Sequence, residues 1–379
     1  MSLLLNDEQR MLRESAREFL SARSPVSALR ALRDRRDALG YDDALWREVV
    51  DLGWPAAALP EAHGGLEIGI KGLAAVFEQI GRTLAATPLL SGAVLGGGLL
   101  QRAGNDKQRQ HWLPRLAAGG ARLALAVDES PRHDPSRTAT TAVSDGSCWR
   151  LRGSKAFVLD GHVAERLIVV ARCGGAPGDT AGLALFLVDP AAPGVAVERT
   201  WMVDGRNAAM LRLHDARIDD DDRLGVAGEA FGALDAVLDT GRACLAAELL
   251  GVITEAFERT VSYLKERVQF GVPIGSFQAL QHRAARLFVE IQLLESSLAG
   301  ALEALDGRSD AAPALVSLAK ARASDLSETA LNESVQMHGG IGVTDEFDLG
   351  LFLKRGRVLQ QTFGDGAFHR DRYARLKGF

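Results

Sequence analysis

Arg267-Val268-Gln269-Phe270-Gly271-Val272-Pro273-Ile274-Gly275-Ser276-Phe277-Gln278 joins two stretches whose apolar residues recur every three or four positions. Leu245, Leu249, Val252, Ala256, Thr260 and Leu264 precede it; Leu280, Ala284, Leu287, Ile291, Leu294, Leu298, Ala301 and Leu305 follow. That period is one face of an α-helix. The short joint therefore predicts an antiparallel helix pair within a bundle. The joint is a Gly/Pro turn displaying one Arg, two Gln and two Phe, with Gln281-His282 just inside the next helix. A guanidinium donates two charge-assisted hydrogen bonds to a phosphate, and a Phe ring offers a face to a purine or flavin. The same residues equally suit a helix-end Arg beside a buried apolar loop.

Further on, Gln336-Met337-His338-Gly339-Gly340-Ile341-Gly342 closes another helix. Its glycines can let a ligand approach bare backbone amides, or can simply cap the helix.

Working outward, the chain falls into three segments: residues 1–120, 121–228 and 229–379. The first reads as helical. The stretch Met1–Phe19 is amphipathic, opened by Asn6 as N-cap with an acidic first turn. Further helices are expected through Ala44–Leu52, Leu73–Leu84 and Gln108–Ala117, and Leu59–Gly65 is a Pro/Gly loop. In the middle segment the period changes. Leu123–Val127, Arg166–Ala171 and Leu183–Val188 are short apolar runs, while Trp149–Arg152 and Met210–His214 alternate. Asp145-Gly146 signals a hairpin. An antiparallel sheet domain follows, and helices return after residue 229. The fold class is α+β: an N-terminal helical domain, a middle antiparallel β domain and a C-terminal four-helix-bundle domain.

The 379 residues are 47% apolar and 25% charged, with 44 Lys+Arg against 49 Asp+Glu, a net charge of −5. A mildly acidic chain without a basic block is a poor nucleic-acid binder. No run approaches the ~20 apolar residues of a membrane span, and no signal-peptide apolar region is visible. Cys148, Cys173 and Cys244 stand far apart, which reads as three reduced thiols in a cytoplasmic protein. Neither the cysteines nor the eight histidines show metal-ligand spacing.

Taken together, the two Gly-containing stretches resemble the acyl-CoA dehydrogenase family, whose signature is R-x-[QT]-F-G-x-x-I…F-Q…Q-H followed by Q-x-x-G-G-x-G. Arg267, Gln269, Phe270, Gly271, Ile274, Phe277, Gln278, Gln281 and His282 match the first part. Gln336, Gly339, Gly340 and Gly342 match the second. Leu5–Gln9, the Pro60–Gly65 loop and Leu151-x-Gly153-x-Lys155 fit the same pattern, so the resemblance covers the whole chain.

It implies FAD, held between the β domain and the C-terminal helical domain, with the adenosine and pyrophosphate end gripped largely by a neighbouring subunit. Arg267, Gln269, Phe270, Phe277, Gln278, Gln336, Gly339 and Gly340 would bind that end. Phe157, Val158 and Leu159 would face the flavin ring. Asp239 and Arg242 stand in the family's D-x-x-R substrate segment, and Gly364 joins them as substrate-binding. The implied reaction is α,β-dehydrogenation of an acyl-CoA thioester with electron-transfer flavoprotein as acceptor. The implied assembly is a homodimer or homotetramer, or a heteromer with a related subunit.

The catalytic base is where the chain departs. The family's usual Glu lies in a Y-E-G-T segment that here reads Thr362-Phe363-Gly364-Asp365; a minority place it at the position of Gly241. The usual T-E-P-G-A-G-S-D is Asp128-Glu-Ser-Pro-Arg-His-Asp134, one residue shorter and without Gly. These departures most resemble the small-subunit type of pimeloyl-CoA dehydrogenase. Asp365 is the foremost local candidate for the base, ahead of Asp239. Glu248, two turns beyond Gly241, reads better as a helix–helix hydrogen-bond partner. The alternatives are a base from a partner chain, a non-catalytic subunit, or an oxidase or monooxygenase on the same fold.

Overall fold

A computed structural model describes residues 5–57 and 59–379. Of the stretch expected to be helical over Met1–Phe19, residues 1–4 therefore lie outside the described residues, as does Ala58 of the second segment.

The N-terminal helices are α1 (Asp7–Arg23), α2 (Val26–Asp34), α3 (Asp43–Asp51), α4 (Gly69–Thr83), α5 (Gly97–Ala103) and α6 (Asp106–Ala117). Strands β1 (Leu123–Ala126), β2 (Thr141–Ser144), β3 (Cys148–Leu159), β4 (Arg166–Arg172), β5 (Leu183–Val188), β6 (Val195–Trp201), β7 (Asn207–Asp219) and β8 (Arg223–Gly228) follow. Then come α7 (Phe231–Glu266), the two-residue strands β9 (Val268–Gln269) and β10 (Val272–Pro273), α8 (Gln278–Asp306), α9 (Ala312–His338), α10 (Leu349–Gln361) and α11 (Gly366–Leu376). Local chemistry accounts for the starts. Asn6 and Asn105 each cap a helix reciprocally with a Gln three residues on, at Gln9 and Gln108. Pro114 lies inside α6, which continues to Ala117.

Contacts group the chain into two compact units. The first unit holds the chain up to Ala31, Ile70–Ala85 and Arg242–Phe379; the second holds Leu32–Gly69 and Ala86–Gly241. Helices α1 and α4 fall in the first unit, and α3, α5 and α6 in the second. The reason lies in α4. A Cβ on Gly81 would fall 2.1 Å from the Glu248 carbonyl oxygen, and one on Gly251 would fall 1.9 Å from that of Glu78. Helices α4 and α7 thus cross backbone to backbone through two glycines. An ion pair flanks the crossing, Arg82 to Glu255 at 3.3 Å, and Lys71 of α4 pairs with Glu303 of α8 at 2.7 Å. Within the same unit Glu248 accepts a buried bond from Arg355 at 2.8 Å, the helix–helix role read from the sequence.

In the second unit the sheet runs β6-β7-β3-β2-β4-β5-β8. It is antiparallel except beside β4, where β1 pairs in parallel and β2 touches at one parallel position. The departure follows from connectivity: β1 arrives from α6 and lies next to β4 only after the β2–β3 hairpin has been passed over. Leu151, Val158, Leu167, Val169, Phe186 and Leu211 form one apolar core face, each at most 1% exposed. The Asp145-Gly146 signal is borne out, with Ser144 opposite Trp149 across the turn. Gly153, at φ +149°, lets β3 pass within contact of Thr140, where a side chain would not fit.

Candidate functional site

The joint between α7 and α8 is a miniature hairpin. Val272 pairs with Gln269 and Pro273 with Val268, leaving Phe270-Gly271 as a two-residue tip. Phe270 has φ 54° and Gly271 φ 80°, the sign pattern of a type I′ turn. Glycine adopts it freely; Phe does not. The strained Phe270 is also 92% exposed, with its ring 6.2 Å from that of Phe277. Arg267 is exposed and ion-pairs with no carboxylate among the described residues. The loop thus presents a cation and two rings outward, against the reading of it as a buried apolar loop.

The second Gly cluster lies beside it. Tyr263, whose carbonyl accepts the Arg267 N–H at 2.8 Å, stacks on His338 at 4.4 Å. The His338 ring nitrogen Nδ1 donates to the Ser334 carbonyl at 2.7 Å. Burial pushes the His338 imidazole below its ordinary range, so the ring is a neutral wedge under the turn. Beyond it Gly339 (φ 66°) and Gly340 are exposed, and a side chain on either would meet nothing within 4 Å. This face of bare backbone, linked through Tyr263 to the loop that carries Arg267, Gln269, Phe270, Phe277 and Gln278, suits an anionic, ring-bearing ligand such as a dinucleotide.

Around position 363 the same unit builds a second constellation. Phe363 is 4% exposed and held at φ 55°. Its carbonyl accepts from Arg242 Nε at 3.2 Å and from His369 Nε2 at 3.1 Å. Gly364 follows at φ 105°; a Cβ there would lie 2.3 Å from the Phe368 ring, so only glycine fits. Lys320 reaches in from α9, fully buried, and donates to the carbonyls of Gly364 at 2.9 Å and Gln360 at 3.1 Å and to Ser324 Oγ at 3.3 Å. Burial, with the Arg242 charge nearby, pushes the Lys320 ammonium down to about 7. Asp365 is half-buried and serves as the N-cap of α11, its Oδ1 accepting the Phe368 N–H at 2.8 Å.

In the second unit, β3 is bulged between Lys155 and Val158. The irregularity turns Phe157 outward, 41% exposed at φ 53°, while Val158 is buried and Leu159 half-buried. The Ala156 N–H donates to the Asp128 carbonyl at 2.7 Å. Asp128, Glu129, Arg132 and Asp134 line a cavity of about 360 Å³ there. Lys155, fully buried, donates to Glu129 at 2.7 Å. Burial would raise the Glu129 carboxyl, but the Lys155 charge and hydrogen bond bring it below its ordinary value. His133 holds Asp128 at 2.7 Å. Asp239 and Gly241, in the first turns of α7, are both buried.

Comparison with known proteins places this geometry. Residues 6–120, 127–217 and 229–377 match the family descriptions "Acyl-CoA dehydrogenase, N-terminal domain", "middle domain" and "C-terminal domain". The chain is 30% identical over 323 residues to acyl-CoA dehydrogenase FadE12 of Mycobacterium tuberculosis, covering 84% of this chain and 83% of that one.

The chain belongs to the acyl-CoA dehydrogenase family.

Among solved structures it resembles a variant of the Tcur3481-Tcur3483 steroid ACAD, at 33% identity over 98% of both chains with a TM-score of 0.87. It also resembles the ChsE4-ChsE5 complex of Mycobacterium tuberculosis, at 27% identity over 100% of both chains with a TM-score of 0.89. As a family member it is an oxidoreductase whose cofactor is FAD. The exposed rings, the unpaired Arg267 and the open glycines fit the dinucleotide. No helix among the described residues is long and apolar enough to cross a membrane, and no group of three or more His, Cys, Asp or Glu could hold a metal. The thiols of Cys148, Cys173 and Cys244 form no disulfide.

Sequence reasoning passed over Lys320, His369 and the Asp128–His133 pair. Lys320 had a readable signal: it falls in register with Val316 and Ser324 on a face of α9 otherwise made of small and apolar residues. His133 had none, because its partner is fixed by a loop of no regular period.

Proposed function

We propose that this chain takes part in FAD-dependent α,β-dehydrogenation of an acyl-CoA thioester as one subunit of a two-chain enzyme, with the α-proton base supplied by its partner. The observation that carries this reading is an outward-facing Arg267/Phe270/Phe277 loop beside open glycines, in a chain whose base position holds the buried Phe363. Asp365, the nearest carboxylate in that turn, is engaged in capping α11. Two of the similar structures bear the names of paired chains, which supports a heteromer over a homodimer or homotetramer.

FAD, when bound, would supply the two-electron acceptor for the β hydrogen. The work of this chain is to hold and orient. Arg267 would hold a phosphate, Phe270 and Phe277 would cover ring faces, Gln269, Gln278 and Gln336 would donate at the edges, and the Gly339–Gly340 amides would face the anion. Phe157, Val158 and Leu159 form the wall on the flavin side. Asp239, Arg242 and Gly364 belong to the substrate side. The α C–H is a weak acid, so the thioester carbonyl must be polarised while the proton leaves. The wording of Val158–Gly161 and of Phe363–Asp365 supports a substrate of the dicarboxylic or steroid side-chain acyl-CoA type, as in the pimeloyl-CoA dehydrogenase small subunit. Electron-transfer flavoprotein as acceptor and a cytoplasmic location complete the reading.

The test is the visible spectrum of the protein purified alone and with a related chain. A complex that carries flavin and is bleached by acyl-CoA, where the single chain is not, is the expected result. A single chain bleached at full rate would overturn it. Arg267→Ala removes a charge-assisted bond worth roughly 1.5–3 kcal/mol and should loosen FAD at least tenfold on that scale; equal flavin content after dialysis would reject the clamp.

A further inference from the structure

Lys320 has no task in the chemistry above, yet it is wholly buried in α9. A lysine is almost never kept inside a protein without a partner. Its three N–H donors are matched by three acceptors: Gly364 O, Gln360 O and Ser324 Oγ. None is a carboxylate, and two are backbone carbonyls of a single turn.

The same turn is gripped from two other helices. Arg242 of α7 and His369 of α11 both donate to Phe363 O. The carbonyls of residues 360, 363 and 364 are thus each held by a side chain from outside α10. They stand where a helix end leaves carbonyls without partners, and side-chain N–H donors from Lys320, Arg242 and His369 supply those partners. Two successive residues there, Phe363 and Gly364, have positive φ. A bulky residue in that region persists only when its surroundings over-determine it, and here the surroundings are Lys320, Arg242 and His369.

We propose that Lys320 is a positioning residue: it locks the Gln360–Asp365 turn in its left-handed conformation, so that the side chain at position 363 is presented at a fixed place and a carboxylate put there is delivered as a general base. This rests on the dehydrogenation reading. The lock stands whether position 363 holds Glu or Phe, so the turn in this chain is a frame without its reactive group.

The experiment uses the FAD-loaded protein with its partner chain if it co-purifies, and compares Phe363→Glu, Lys320→Met, Lys320→Gln and the double variant Phe363→Glu/Lys320→Met. Hydrogen exchange over residues 360–369 reads the lock without any chemistry. Anaerobic flavin bleaching by acyl-CoA, taken to saturation, reads the base. Both Lys320 variants should exchange at least tenfold faster in that segment, with α8 unchanged. Phe363→Glu should bleach at least a hundredfold faster than the wild-type background of this chain. Adding Lys320→Met should lower the limiting bleaching rate at least tenfold, with the half-saturating acyl-CoA concentration and the flavin content held within twofold. A structural role alone would move flavin content and half-saturation together with the rate. Unchanged exchange in both Lys320 variants, or a double variant that bleaches as fast as Phe363→Glu, would overturn the proposal. A locked turn in a Phe363→Glu holoprotein that never bleaches would overturn the delivery of a base, and would place the fault in the dehydrogenation reading rather than in the lock.

Discussion

Raising the pH should stabilise the wild-type protein relative to Lys320→Met. The ordinary lysine value is 10.5, and burial brings Lys320 to about 7. A shift of about 3.5 pH units at ~1.36 kcal/mol each disfavours the charged form in the folded state by ~5 kcal/mol. The facing charges work in opposite senses: Arg242 from α7 lowers the value further, and Asp365 at the start of α11 raises it. His369, also from α11, shares the turn. Below about pH 7 both folded and unfolded chains carry the proton, and the penalty is present in full. Between about 7 and 10.5 the unfolded chain holds a proton that the folded one has lost, so stability rises with pH, by up to ~1.4 kcal/mol per unit. Integrated from pH 7 to 10 the gain is on the order of 3–4 kcal/mol. Urea unfolding followed by circular dichroism across that window, wild type minus Lys320→Met, isolates it, because every other titrating group is common to both proteins. A difference that stays flat, or that falls as pH rises, would refute the burial argument.

Asp365→Asn keeps an N-cap and should leave fold, FAD content and acyl-CoA-dependent bleaching of the complex unchanged. A loss of ~10²-fold or more, typical of removing a general base, would move the base onto this chain. Arg355→Met strands the buried Glu248 carboxylate and should lower stability by about 3–5 kcal/mol, whereas Glu248→Leu/Arg355→Met should recover most of it; a double variant no better than the single one would count against a simple buried pair. Gly251→Ala, whose methyl would meet the Glu78 carbonyl at 1.9 Å, should melt the first unit well below wild type. Gly300→Ala, where nothing lies within 4 Å, should raise stability by about 0.5–1 kcal/mol; similar melting temperatures for the two would contradict the crossing.

Much of the fold was legible because its signals are periodic. The register of Leu280 to Leu305 became α8, and the apolar runs at 166–171 and 183–188 became the central strands β4 and β5. The grouping of α1 and α4 with the C-terminal helices was not legible: it depends on Gly81 and Gly251, and a glycine in a helix carries no period. The parallel pairing of β1 was hidden for the same kind of reason, since strand order is set by a crossover and not by any run of residues. At the candidate site, residue types could be named but their posture could not. Phe157, Phe270 and Phe363 are three of the nine non-glycine residues with positive φ among the described residues. No propensity predicts a phenylalanine there, and strain of this kind gathers at functional segments. The sequence also marked Asp365 as a carboxylate near position 363, but not that its oxygen is engaged at a helix end.

The glycine crossing of α4 and α7 has a consequence for synthesis. Leu73, Val76, Phe77 and Ile80 of α4 are at most 2% exposed in the finished protein. Their cover includes a helix that leaves the ribosome about 170 residues later. At roughly 5–20 residues per second, that strip waits on the order of 10–30 seconds in contact with water. A nascent chain halted before α7 should therefore be bound by chaperones that grasp apolar helices, and it should precipitate in their absence. Supplying the Arg242–Phe379 segment as a separate polypeptide should rescue it, because Glu248 and Gly251, which meet α4, lie on that piece.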